Sequence, residues 1–170
     1  LLSSSEVIFC HDHRHLEWPY ENWLSEEAKK KPDLIDEAII LEALRVPGNK
    51  VMLTEKLGEK SEIIFNHGTW GLRWSSNLHP RMDEPESEVR WFHSSENIDM
   101  IELLSWTVDV QTRNRIAEVL VVDNEQAVVT YNITSENPIG ELLPPNRDCL
   151  LYTSDAADDS LRVDLGGRRI

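Results

Sequence analysis

Apolar residues in this chain fall into short runs separated by polar stretches that carry Pro, Gly, Asn or Ser. "SEVIFC" (5–10) is rich in bulky and β-branched side chains and has no helical period, which predicts a buried strand. "HDHRHLEWPYENW" leaves it as a polar, aromatic loop. Ser25 followed by Glu26 and Glu27 predicts a helix start. Pro32 interrupts it, Asp33 can recap, and "LIDEAIILEALRV" carries a broad apolar face ended by Pro47-Gly48. "KVMLTEKL" predicts a strand. "SSENIDMIELLSW" predicts a capped helix burying Ile98, Met100, Ile101, Leu103, Leu104 and Trp106. "VDVQTR", "AEVLVVD" and "QAVVTYN" then predict three strands, and "NPIGELLPPN" an irregular exit. Helices alternating with strands apolar on both faces predict an α/β fold, a mixed β-sheet with covering helices.

A pattern recurs along the chain. "SEIIFNHGTWGLRW" (61–74) matches "SEVIFCHDHRHLEW" (5–18) without gaps at Ser, Glu, Ile, Phe, His, Leu and Trp, and "SEVRWFH" (87–93) is a partial third copy. Duplication and shared strand chemistry both account for this. Either way the pattern predicts that "SEVIFC", "SEIIFN", "SEVRWF" and "AEVLVVD" share one sheet. It also predicts that each copy delivers a histidine at a strand end: His11, His67 and His93.

Charge and composition narrow the classes. The formal net charge is −14. The last 22 residues, "CLLYTSDAADDSLRVDLGGRRI", resemble a translated sequencing adapter, with "DSL" where a barcode would lie. Setting aside that tail (149–170) leaves 14 Lys and Arg against 27 Asp and Glu, or −13. So acidic a chain repels nucleic-acid phosphate and anionic membranes, which argues against direct nucleic-acid contact. Cys10 is the only cysteine before the tail, which excludes an internal disulfide there and fits a reducing, cytoplasmic compartment. No apolar run approaches the roughly 20 residues that span a bilayer. With no Met at the start, the chain reads as an internal fragment of an environmental gene, with one domain over 1–148.

The stretch "RIAEVLVVDNEQAVVTYNITS" (115–135) carries a family resemblance. Residues 61–134 resemble one half of a phospholipase-D-like domain, whose motif strand reads His-x-Lys-x-x-x-x-Asp and returns by a hairpin ending Gly-Ser-x-Asn. On that resemblance "IAEVLVVD" occupies the motif with its spacing intact. Ile116 stands for the nucleophilic His, Glu118 for the phosphate-holding Lys and Asp123 for the Asp, while Thr130 and Asn132 stand for Ser and Asn. Isoleucine cannot attack phosphorus, and a carboxylate repels phosphate. The resemblance therefore implies a non-catalytic domain. It is similar to the ligand-sensing effector half of TrmB-type transcription regulators, with no cofactor and a degenerate site of Glu118, Asp123, Thr130, Asn132, His67 and His93. The partners it implies are a small-molecule ligand or a protein, a second copy of the chain included. A common β-hairpin accounts for the same residues.

The competing chemistry lies in "HDHRH". Along an extended segment His11, His13 and His15 project to one side, a pattern that begins zinc or di-metal sites in several hydrolases. His67 or His93 could complete it. The alternative is thus a metal-dependent hydrolase, against solvated loop histidines. "NIT" (132–134) fits a glycosylation acceptor but reads as a strand end, and Trp70 and Trp74 are candidates for a flat-ligand pocket or for core.

Overall fold

Among the described residues five strands lie side by side in sequence order: β1 (Lys50–Leu53), β2 (Gly71–Trp74), β3 (Ser87–His93), β4 (Ile116–Val122) and β5 (Val128–Ile133). Every neighbouring pair is antiparallel except β3 and β4, which run parallel. A parallel pair needs a crossover, supplied here by helix α4 (Met100–Thr112). Helices α1 (Ser4–Arg14), α2 (Trp23–Lys30) and α3 (Leu34–Arg45) precede the sheet. The computed structural model describes residues 2–57 and 63–135, and the adapter-like tail lies outside them. The expected mixed sheet with covering helices is therefore present.

The β4 run is apolar because both of its faces are covered. Leu120 and Val122 join Ile40, Leu41, Leu44 and Phe9 of α3 and α1 in the larger core. Ala117 and Val119 pack on the other face against Leu103, Trp106 and Val110 of α4. A smaller cluster of Ile8, Trp23, Leu34 and Ala38 joins the first three helices. Burying each such Leu or Ile stabilises the fold by about 1.5–3 kcal/mol.

Several segments depart from the sequence reading. "SEVIFC" is helix, not strand. Ser3 Oγ accepts from the Glu6 N–H while the Glu6 carboxylate accepts from the Ser3 N–H, a capping box that nucleates α1. Histidines and Arg14 in the last turn suit the negative end of the helix. "VDVQTR" is not a strand but the end of α4, because Leu103, Trp106, Thr107 and Val110 form one helical stripe facing the sheet. That stripe also revises the helix face: Met100, Ile101 and Leu104, expected inside, are 66%, 83% and 50% exposed. Within "SEIIFN", the described residues 63–66 form no strand. "KVMLTEKL" is a strand only to Leu53, followed by a 3-10 turn. The recurrent letters therefore adopt helix in one copy and loop plus strand in another, so shared sequence does not mean shared structure here.

Candidate functional site

Helix formation changes the geometry of the histidine cluster. Residues advance about 100° each around a helix, so His11 and His13 lie about 200° apart instead of on one side. His15 caps the helix with a left-handed backbone (φ 55°). His11 Nδ1 donates to the Leu16 carbonyl at 2.8 Å and its ring stacks on Trp18 at 3.8 Å, with Trp18 in turn stacked on Trp23. His13 Nε2 meets Glu42 Oε1 at 3.0 Å and leans on Phe9. The expected convergence of His11, His13 and His15 is overturned by that helix. Among the described residues no three His, Cys, Asp or Glu side chains converge on a common point.

These contacts instead border a groove between α1 and α3 with about 280 Å³ of space. Ile8, Phe9, Ile35 and Ile39 give it an apolar floor, Trp18 closes one wall, and Asp12, His13 and Glu42 line its rim. The Asp12 carboxylate has no hydrogen bond or ion pair among the described residues, while Glu42 is held by His13. The groove combines an apolar body with a few convergent polar groups, as small-molecule sites do. Gln126, at the tip of the β4–β5 turn, reaches it from the sheet.

The motif positions of the hairpin are distributed differently from the expectation. Glu118 lies on the sheet face covered by α1 and α3. It accepts from Arg73 Nε at 2.6 Å and from Ser87 Oγ at 2.7 Å, with only 5% of the residue exposed. Asn132 stands directly opposite Glu118 and Thr130 opposite Leu120, both exposed on the edge strand. Asp123 lies five residues beyond Glu118, where it shapes the turn by accepting from the Glu125 and Ala127 N–H groups. Asp123 and Asn132, grouped in one degenerate site by the resemblance, occupy opposite ends of the hairpin, because the ladder pairs Asn132 with Glu118. Ile116 is partly buried at the start of β4, opposite Ser87. His67 lies in an exposed turn, and His93 Nδ1 accepts from the Ser95 N–H and Oγ at the end of β3. Neither approaches the Glu118 pair through any hydrogen bond. Trp74 is core, its Nε1–H donating to the Asp83 carbonyl, whereas Trp70 lines a shallow hollow with Trp91, Gly68 and Arg90.

A buried polar network on the α4 face was not foreseen. Glu88, fully buried on β3, accepts from Thr69 Oγ1 (2.7 Å), the Asn66 N–H (3.0 Å), Arg115 Nη1 (3.0 Å) and Arg113 Nε (3.3 Å). Trp106 Nε1–H donates to Thr69, and Arg90 lies over the Trp106 ring while donating to the His67 and Gly68 carbonyls and to Glu102. Gly68 is required there: with φ +81°, a Cβ would stand 1.7 Å from Arg90 Nη2. The network ties the loop before β2 to the sheet and to α4. The charged letters inside the apolar "SEVRWF" were its only sequence signal.

A second buried carboxylate, Glu6, receives Arg45 Nη2 at 2.6 Å and is paired with Lys56. Burial alone would raise its pKa. The hydrogen bonds from Lys56, Arg45 and the Ser3 N–H outweigh that and hold it below the usual carboxylate value. Among the described residues no helix is long and apolar enough to cross a membrane. Neither the protein-family models nor the curated proteins contain a match to this chain.

Proposed function

We propose that this chain is a non-catalytic ligand-binding domain of a larger regulatory protein, and that its ligand enters the groove between α1 and α3. One observation carries the reading: an apolar groove of about 280 Å³ whose rim bears an unpaired carboxylate, Asp12, beside the His13–Glu42 pair. That chemistry favours a small ligand with an apolar body and a cationic head. The body meets the Ile and Phe floor and the Trp18 wall, and the head meets Asp12 and Glu42. The resemblance to a degenerate phospholipase-D-like half, and to the sensing half of TrmB-type regulators, agrees with this role. The buried pairing of Glu118 with Arg73 and Ser87 supports the non-catalytic part, since a carboxylate fixed at the motif lysine position cannot hold a phosphate.

The test compares phenethylamine with phenylpropionate, alike in their apolar body and opposite in charge. Titration calorimetry is expected to show saturable binding of the amine and none of the acid. Asp12→Asn together with Glu42→Gln should remove the amine's binding without lowering the melting temperature. Equal binding of both probes, or binding untouched by the double substitution, would overturn the assignment.

A further inference from the structure

The outer edge of the sheet holds a second surface, independent of the groove. Strand β5 reads "VVTYNI" and, among the described residues, no strand pairs with its outer side. The Asp123 N–H donates to the Ala127 carbonyl, which fixes the alternation of the antiparallel ladder. Ala127, Val129, Tyr131 and Ile133 therefore turn their backbone groups toward β4. Val128, Thr130 and Asn132 turn theirs outward. Exposed edges of this kind are usually blunted by Lys, Pro or a bulge. Residues 128–133 contain no charge and no Pro.

Beside the edge lies a helical stripe of matching character. Ile101, Leu104 and Val108 follow one another at helical spacing, and Gln111 continues the row. Gln111 Oε1 accepts from the Ser135 N–H just past β5, which places that row on the β5 side of α4. Val129 (49% exposed) and Tyr131 (52% exposed) share the α4 face of the sheet with it, because Val119, opposite Tyr131, packs against α4. The charged residues of α4, Glu102 and Asp109, fall on its other side, Glu102 holding Arg90. Among the described residues, exposed apolar side chains of α4 and β5 thus share one face of the sheet beside a strand edge that no strand pairs with.

We infer that this chain forms a two-fold homodimer by antiparallel pairing of β5 with its copy, flanked by the two α4 stripes. Charge allows a second copy as the occupant: on a chain of net charge −14, residues 128–133 and the row Ile101, Leu104, Val108 and Gln111 set no carboxylate against its counterpart. The register follows from the alternation. With the two-fold axis at Thr130, Val128 faces Asn132 of the second copy and Thr130 faces its counterpart, so every outward N–H and C=O finds a partner. In the same register Val129 faces Tyr131 across the axis, twice, an aromatic against a β-branched side chain, which is a favourable cross-strand pair. The contact is self-complementary and closes at two copies, giving a ten-stranded sheet.

Sedimentation equilibrium of the full chain over a concentration series tests this. The expected species has twice the 19.6 kDa chain mass. Thr130→Pro removes only an outward-facing donor, and Leu104→Glu with Val108→Glu places carboxylates on the stripe. Each is expected to weaken dimerisation at least tenfold while circular dichroism, and the urea midpoint read at dilutions where both proteins are monomeric, stay near those of the parent. Should Thr130→Pro lower the urea midpoint, the exposed helix variant supplies the decision. A chain that stays monomeric, or a dimer indifferent to the α4 variant, would overturn the inference. Dimerisation only after residues 136–170 are deleted would also overturn it, by assigning the edge to the chain's own continuation.

Discussion

Replacing Glu118 by lysine, the residue the phospholipase-D-like motif would carry there, should unfold or nearly unfold the domain. The Glu118 side chain is 7% exposed and is held by Arg73 and Ser87 at 2.6 and 2.7 Å. Among the described residues Arg73 has one other carboxylate within reach, Glu86 at 3.5 Å, and that one is far more exposed. Removing one member of a buried ion pair costs about 3–5 kcal/mol. A lysine ammonium about 4 Å from the guanidinium adds a repulsion of about 4 kcal/mol at an effective dielectric constant near 20. Against a typical domain stability of about 5–15 kcal/mol, the sum of about 7–9 kcal/mol consumes between half and all of it. Glu118→Gln keeps the shape and hydrogen-bonding oxygen but loses the charge, and should cost about 1–3 kcal/mol. The paired replacement Arg73→Met with Glu118→Leu should recover most of the loss, since no buried charge is then left alone. Urea unfolding followed by circular dichroism reads these differences as midpoint shifts at constant slope. A Glu118→Lys protein with the parent's midpoint would refute the ion pair as the reason for a carboxylate at this position.

Glu6 predicts a pH signature. Its folded pKa lies below the ordinary 4.5, so its contribution is present above that value and lost as pH falls through the lower folded one. The stability gap between the parent and Glu6→Gln should therefore be full at pH 7 and close below pH 4.5, and a gap constant with pH would contradict it. Zinc should leave the melting temperature unchanged, because His11 and His13 diverge around α1; a rise abolished by His13→Ala would restore the metal reading. Phosphodiester hydrolysis by the unmodified chain should be undetectable with a chromogenic bis(nitrophenyl) phosphate diester, and robust turnover would remove the non-catalytic assignment.

The sheet was legible where a strand is buried on both faces. "IAEVLVV" and "SEVRWFH" read as strands because their side chains meet cores on two sides, and β5 followed from its turn. What misled was a short apolar run without visible period. "SEVIFC" satisfies a buried strand by composition, yet Ser3, two residues before the run, forms a capping box with Glu6 inside it, and the cap decides the element. The same kind of error split α4, whose "VDVQTR" looks β-branched but keeps Val110 on the stripe begun by Leu103 and Trp106. The candidate site suffered in turn. Alternation put three histidines together only if the segment was extended, and a helix disperses them. The groove itself was invisible in the sequence, since it joins Asp12 to Glu42 across 30 positions through the packing of α1 on α3. Glu88 and Glu118 were visible as charges inside apolar strands, but their arginine partners were not, because Arg73, Arg113 and Arg115 reach them only through the sheet's register and the end of α4.

Amide chemical-shift mapping on isotopically labelled protein during a phenethylamine titration addresses the groove most directly. Saturable shifts are expected at Ile8, Phe9, Asp12, His13, Trp18 and Ala38, with Glu118, Thr130 and Asn132 unmoved. Shifts centred on the β4–β5 hairpin instead, or no saturable shift anywhere, would contradict the assignment of the ligand site to α1 and α3.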